Sequence, residues 1–131
     1  MPSVLIEVRK SHTAEQEVAL MEAVQAALVE AFKIPTDDKN VRLVAHEPHR
    51  FMHPPGRGRP ELVTVVTIDA FVGRSLQAKR ALYQAIVRNL ERCGVPPDHV
   101  TIKLHELPKE NWGIRGGKAA CDLDLGFKIE V

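Results

Sequence analysis

Apolar and polar residues repeat one succession twice along the chain. In the first half, the apolar run at residues 3–9 predicts a strand. Thr13, with Gln16 three residues later, predicts the capped start of a helix. An apolar stripe at helical spacing follows, formed by Leu20, Val24, Leu28 and Ala31. Residues 41–46 alternate between apolar and polar side chains, which predicts a second, half-buried strand.

The same elements recur about 62 residues later. Residues 62–71 predict a strand, Ser75 predicts the start of a second helix, and residues 100–104 alternate as a half-buried strand does. The second helical stripe consists of Leu82, Ile86, Leu90 and Cys93, so Cys93 is expected to be buried and inert. The chain is therefore predicted to be a tandem duplication of a β-α-β unit.

Composition marks the boundaries within a single domain that spans residues 1–131. The two β-α-β halves are residues 1–46 and residues 62–108. Between them, residues 47–61 carry four of the nine prolines and three arginines, as expected of a stiff, basic connector. Residues 109–131 form a tail outside the repeat.

The end of that tail alternates strictly over residues 123–131, which predicts a C-terminal strand. Such a strand needs a sheet edge, and a neighbouring subunit is one source of an edge. The succession β-α-β-β-α-β fits two α+β architectures. One is the ferredoxin-like split arrangement, and the other pairs two β-α-β units with approximate symmetry and oligomerises. The near-equal halves and the extra strand favour the second.

The overall composition excludes several classes of function. Net charge is +1 and aromatic residues make up 5% of the chain, so neither a nucleic acid nor an anionic membrane is an expected partner. No apolar run approaches the length of a membrane span. The two cysteines lack CxxC spacing and are typical of reduced thiols, which predicts a cytoplasmic protein.

The first candidate for chemistry is the second residue. Pro2 follows the initiator Met1 and leads directly into the first apolar run. Aminopeptidases remove Met ahead of proline, and removal would leave Pro2 with a free secondary amine. A free α-amine has a pKa of about 8. Burial or a nearby cation lowers that pKa, and the neutral amine is then a base at pH 7. A proline that is merely structural is the alternative.

Four segments in order carry a resemblance to a known family. They are Pro2 ahead of a strand, residues 32–38 (FKIPTDD), residues 73–75 (GRS) and residues 111–116 (NWGIRG). With the duplicated β-α-β pattern, the chain resembles the tautomerase superfamily, and within it the malonate semialdehyde decarboxylase-like group. The resemblance implies a four-stranded mixed sheet with two helices on one face. It also implies a homotrimer that works without a cofactor.

The resemblance implies roles for the residues of the site. Pro2 matches the catalytic base or acid, and Arg74 matches an arginine that binds the substrate carboxylate. The planar fork of arginine suits a two-point contact with a carboxylate. Decarboxylase-type sites carry a second arginine close by, which this chain lacks, so the resemblance favours tautomerisation over decarboxylation.

Three further residues match less strongly. Asp38 aligns with a catalytic acidic residue that positions water, although Asp37 beside it leaves the alignment open. Trp112 matches an aromatic residue that lines the substrate pocket, and Arg115 is a candidate substrate contact. No metal site is expected, because the possible ligands His46, Glu47, His49 and His53 lack the spacing that would aim them at one ion.

The sequence thus predicts a keto–enol tautomerase that acts on small keto acids through Pro2. Two alternatives stay open. One is a decarboxylase or hydratase of a three-carbon acid, and the other is a non-catalytic module that binds a ligand or a partner protein.

Overall fold

The computed structural model describes residues 2–131. Its main sheet and helices follow the predicted order: β1 (Ser3–Arg9), α1 (Ala14–Phe32), β2 (Val41–His46), β3 (Thr64–Phe71), α2 (Leu76–Arg92) and β4 (Val100–Leu107). A short hairpin in the tail adds β5 (Gly113–Ile114) and β6 (Lys118–Ala119). The capping box at Thr13 forms as predicted, since Thr13 and Gln16 each accept a hydrogen bond from the other's backbone N–H.

The order of strands in the main sheet decides between the two architectures. The order is β2-β1-β3-β4, with β1 parallel to β2, β1 antiparallel to β3, and β3 parallel to β4. The two strands of each β-α-β unit are therefore neighbours. A ferredoxin-like split would insert a strand between them. The duplicated, four-stranded mixed sheet is confirmed, and the two halves meet at the antiparallel pair of β1 and β3.

The core lies between one face of this sheet and the two helices. Alternate residues of the central strands are buried there, namely Val4, Ile6, Val8, Val66, Ile68 and Ala70. Both predicted helical stripes pack onto them, with Leu20, Val24, Leu28, Leu82, Ile86 and Leu90 fully buried. Because strand side chains alternate between faces, the opposite face presents the remaining residues of each strand.

The opposite face carries two related contacts between a histidine and a carboxylate. His46 Nε2 lies 3.0 Å from Glu7 Oε1, and His105 Nδ1 lies 3.0 Å from Asp69 Oδ1. Each pair joins the end of an outer strand to the adjacent inner strand of the same half. The duplication thus extends to polar side chains on the face that no helix covers.

Two predictions about packing are wrong. Cys93 is exposed, because α2 ends at Arg92 and Cys93 is its cap residue, beyond the last turn of the apolar stripe. The strand predicted at residues 123–131 does not form within the described chain. Instead the tail packs on the start of α2, where the Ser75 N–H donates to the carbonyl of Val131 over 3.1 Å. Ile129 is buried in this contact.

Among the described residues, the helices are too short or too polar for any of them to cross a bilayer.

Candidate functional site

One edge of the main sheet gathers four of the five predicted site residues. The register pairs Val4 with Val41 and Ser3 with Asp69, so β1 and β2 begin at the edge where β3 ends. Because β4 is parallel to β3, it ends there too. Pro2 precedes β1, Asp38 precedes β2, Arg74 follows β3 and Trp112 follows β4.

Pro2 is buried at this edge. The next backbone positions are held firmly, since the Val4 N–H donates to the Asn40 carbonyl over 2.8 Å. Continuing the antiparallel register beyond Ser3 places Pro2 opposite Ala70, just before the end of β3. The proline ring is thus fixed beside the chain segment that leads to Arg74.

Arg74 is a buried cation with unused donors. Its side chain is 6% exposed, and its Cζ lies 4.6 Å above the centre of the Phe32 ring. Nη1 donates to the Phe71 carbonyl over 3.3 Å, whereas Nε and Nη2 are buried and have no partner among the described residues. Unpaired buried donors of a guanidinium are costly, so this arrangement is suited to receive an anion.

The electrostatic surroundings of Arg74 support the same interpretation. Burial lowers the pKa of Arg74, and the carboxylates of Glu130, Asp38 and Glu106 oppose that shift. The guanidinium therefore lacks part of the stabilisation that water would give it. Arg74 also lies one residue before Ser75, the N-cap of α2, and a helix N-terminus favours negative charge. An anionic ligand would stabilise both the buried guanidinium and the N-terminus of α2.

Backbone geometry sets the position of Arg74. Gly73 has a φ of +140°, which favours glycine, and a Cβ added there would lie 3.1 Å from Cγ2 of Ile129. We expect Gly73→Ala to lower stability by about 1–3 kcal/mol and to weaken binding of a carboxylate ligand, because both the loop and the tail must shift. Urea unfolding and calorimetric titration measure the two effects.

Gly58 provides the matched control for that substitution. A Cβ at Gly58 meets nothing within 4 Å, and its φ is not in the glycine-favouring range. Gly58→Ala is expected to be neutral in both measurements. Equal behaviour of the two variants would contradict the role given to Gly73.

Asp38 is held more firmly than its neighbour. Its Oδ1 accepts a hydrogen bond from Asn40 Nδ2 over 2.9 Å, and its carbonyl accepts one from the buried Gln25 side chain over 3.1 Å. Asp37 is exposed, whereas Asp38 is half-buried. Asp38 is thus the better placed of the two acidic residues to act at this edge.

Trp112 packs at the same edge. Its ring meets Phe71 edge-to-face at a centroid distance of 5.0 Å, and it belongs to a small apolar cluster with Ala120 and Ile129. Its indole Nε1 is buried without a partner among the described residues. Trp112 therefore packs beside Phe71, whose carbonyl accepts the hydrogen bond from Arg74.

Arg115 lies on a different element from these residues, and its side chain contacts the tail. It occupies the tip of the β5–β6 hairpin with a φ of +51°, and its side chain is exposed. Nη1 donates to the Asp124 carbonyl over 3.1 Å, so the tail holds this guanidinium.

Sequence reasoning missed three residues that shape the site. Phe32 lies under Arg74, and Phe71 contacts both Arg74 and Trp112. Both look like ordinary core residues in an apolar run. Glu130, in the tail, opposes the lowering of the Arg74 pKa, and no motif marks it.

A groove of about 590 Å³ lies elsewhere, along the outer side of α1 and the start of β2. Its lining includes Val18, Met21, Val29 and Val41, but none of the four clustered residues. The candidate site at the sheet edge is therefore identified from its four side chains, and this groove is not part of it. The described residues contain no group of three or more histidine, cysteine or acidic side chains arranged for a metal ion.

Comparison with known proteins adds to this geometry. A family model described as a tautomerase enzyme matches residues 38–115. The chain belongs to the tautomerase family. The match includes Asp38, Arg74 and Trp112, and it begins after Pro2. The family resemblance predicted from the sequence is confirmed.

Relatives of this tautomerase-family protein include two kinds of enzyme. A 2-hydroxymuconate tautomerase from Comamonas testosteroni is 44% identical over 48 residues, which cover 36% of this chain and 76% of the relative. The crystal structure of a malonate semialdehyde decarboxylase matches with a TM-score of 0.83 at 28% identity, covering 93% of this chain and 99% of that one.

A third similar structure shows the fold alone. It is a wild-type fused 4-OT, described as an asymmetric trimer, with a TM-score of 0.81 at 19% identity. The alignment covers 92% of this chain and 97% of that one.

Proposed function

We propose that this tautomerase-family protein interconverts the keto and enol forms of small keto acids without a cofactor. The amine of Pro2, freed by removal of Met1, is the base and the acid. The observation that carries the proposal is Arg74, a 6% exposed residue at the sheet edge where Pro2 precedes β1, whose Nε and Nη2 have no partner among the described residues. A cation for a carboxylate and an amine for a proton thereby adjoin strand ends at the same edge of the sheet.

The reaction needs one proton to move twice. In the enol-to-keto direction, neutral Pro2 takes the proton from the enol oxygen, C2=O forms, and protonated Pro2 then gives that proton to C3 of the substrate. In the reverse direction, neutral Pro2 takes a proton from C3, the electron pair forms the C2=C3 bond, and protonated Pro2 gives the proton to the C2 oxygen. A base that is neutral near pH 7 serves both directions, and burial of the Pro2 amine would lower its pKa from the ordinary value.

The remaining residues hold the substrate. Arg74 binds the carboxylate, Trp112 covers the substrate and excludes water, and Asp38 orients a water molecule or the proline amine. Arg115 is a more distant candidate, since the Asp124 carbonyl already engages it. Its contact with substrate would come from a hairpin that reaches a neighbouring subunit.

We further propose that the protein is a cytoplasmic homotrimer. The sheet face opposite the helices is not covered by α1 or α2, and the fused 4-OT with the same fold is described as a trimer. Packing three such faces together would bury the half-exposed residues of the strands. Cys93 and Cys121 are free thiols, which fits a reducing compartment.

A second candidate activity is decarboxylation. The similarity to a malonate semialdehyde decarboxylase, at 28% identity over 93% of this chain, favours it. In that reaction protonated Pro2 would polarise a carbonyl while the C–C bond to the carboxylate breaks and CO2 leaves. The electron pair of that bond would form an enol, which then takes a proton on carbon to give the aldehyde. A separate assay with malonate semialdehyde tests for CO2 release.

Ketonisation of an aryl enolpyruvate, followed by ultraviolet absorbance, tests the proposal. The sample should be protein whose mass shows that Met1 is absent. Turnover above the buffer rate is expected. Absence of turnover and of CO2 release from malonate semialdehyde, in correctly processed protein, would favour a non-catalytic binding module instead.

A further inference from the structure

The proposed tautomerase reaction leaves one donor at the site without a role. The indole Nε1 of Trp112 is buried and has no hydrogen-bond partner among the described residues. An indole N–H can only donate, so it cannot be satisfied by another donor. Buried polar groups without partners are rare in native proteins, and a catalytic role is one reason why such a group is retained.

Trp112 and Arg74 contact the same residue, Phe71. Both residues are fixed to Phe71: the Trp112 ring at a centroid distance of 5.0 Å, and Arg74 Nη1 at 3.3 Å from the Phe71 carbonyl. The backbone of Trp112 is held on both sides. Its N–H donates to the Lys109 carbonyl over 3.2 Å, and its carbonyl accepts from the Ala120 N–H over 2.9 Å. The indole is therefore a fixed donor.

The two sets of donors differ in charge. Arg74 is a cation with a planar fork and is 6% exposed, so it suits a carboxylate. Trp112 is neutral and offers one hydrogen, so it suits a single oxygen atom next to that carboxylate. A 2-keto acid has this arrangement of oxygens, since its C2 oxygen lies one bond beyond the carboxyl carbon.

We propose that Trp112 donates its indole hydrogen to the C2 oxygen of a 2-keto acid whose carboxylate lies on Arg74. This inference rests on the proposed function and names its substrate class. When a proton leaves C3, the electron pair moves into the C2=C3 bond and the C2 oxygen becomes negative. The hydrogen bond from Trp112 is then stronger in the transition state than in the ground state.

The wild-type protein offers a direct test, because Trp112 is the only tryptophan in the chain. A ¹⁵N-labelled sample has one indole N–H resonance. Addition of 2-oxobutyrate should move its proton signal downfield, as a new hydrogen bond does. Butyrate, which has the carboxylate but no C2 oxygen, should bind Arg74 and leave that signal nearly in place. An indole signal that 2-oxobutyrate does not move, or that butyrate moves equally, overturns the proposal.

The variant Trp112→Phe distinguishes the contribution of the N–H donor from that of the aromatic ring. Phenylalanine keeps an aromatic contact with Phe71 and removes the N–H. We expect kcat to fall by about 10- to 100-fold with KM changed by less than about threefold, since the hydrogen bond strengthens in the transition state. A rise in KM with unchanged kcat would mean that Trp112 only packs against the substrate.

Binding data separate failure of this inference from failure of the proposed function. Calorimetry on the wild type should show a modest preference, of up to about threefold, for 2-oxobutyrate over butyrate, and Trp112→Phe should lose that preference. If enol turnover is absent but the preference depends on Trp112, the 2-keto acid site stands and the tautomerase proposal falls. If turnover is present and the variant keeps the preference, the role of Trp112 is wrong.

Discussion

Replacing Pro2 with alanine is expected to lower kcat for ketonisation by about 10²-fold or more, in line with the usual contribution of a positioned acid or base. Alanine still has an α-amine, but it lacks the ring that is buried at the sheet edge. The amine then becomes hydrated and its pKa returns toward about 8. The fold should persist, because β1 starts at Ser3 and Val4 keeps its hydrogen bond to Asn40.

A form with one extra residue ahead of Pro2 makes the test sharper. The proline nitrogen is then part of an amide and cannot act as a base. Activity should fall to the uncatalysed rate, with unchanged circular dichroism and unchanged oligomeric mass.

Ser3→Ala is the matched control, since it alters the next residue and leaves the amine intact. Its kcat should stay within about threefold of wild type. Full activity in the extended form would show that Pro2 takes no part in the chemistry.

Replacing Arg74 with methionine is expected to reduce kcat/KM by about 10²- to 10³-fold without lowering stability. Removal of one partner of a buried charge pair costs about 2–5 kcal/mol of binding. Methionine fills similar space above Phe32 and removes two buried donors that have no partner among the described residues. Exchange of a buried charge for an apolar residue of similar volume is often neutral or stabilising.

Two companion variants locate the effect at the site. Arg74→Lys keeps the charge but not the planar fork, so we expect an intermediate loss. Arg80→Ala removes an exposed arginine from the same helix and should change kcat/KM by less than about threefold. Steady-state kinetics and urea unfolding measure both properties. An active Arg74→Met protein with greatly reduced stability would make Arg74 a structural residue.

Periodicity predicted the elements of the fold but not the pairing of strands. Residues 3–9 and 41–46 have the bounds predicted for them, because alternation and caps are local properties of the chain. The order of strands is not local. A ferredoxin-like sheet and the observed one have the same succession of elements, and the parallel pairing of β1 with β2 and of β3 with β4 distinguishes them.

The site was predictable to the extent that strand direction determines it. Pro2, Asp38, Arg74 and Trp112 adjoin strand ends, and parallel pairing within each half brings those ends together. The position of Arg115 depends on the turn of a short hairpin, which periodicity does not fix. The contacts of Arg74 with Phe32 and Phe71 could not be predicted. An aromatic residue that packs beneath a cation looks the same in sequence as one within an apolar core.

The tail shows the limit of a local pattern most clearly. Alternation over residues 123–131 predicts a strand only where a sheet edge is free to receive it. In the described chain this segment instead covers the start of α2, where Ile129 packs beside Gly73. Contacts with a distant helix, and not the alternation, therefore determine its conformation.

The antiparallel meeting of the two halves has a consequence for the number of reactive sites per chain. The approximate symmetry that superposes β1 on β3 makes Thr64 the equivalent of Pro2. Thr64 lies at the opposite edge of the sheet, because β1 and β3 are antiparallel. The nitrogen of Thr64 lies inside the polypeptide and is an ordinary amide without basicity. Joining two β-α-β units into one polypeptide thus leaves a single terminal amine for two similar halves. In the proposed mechanism, the second half supplies Arg74 to the amine of the first half, and the tail supplies Trp112.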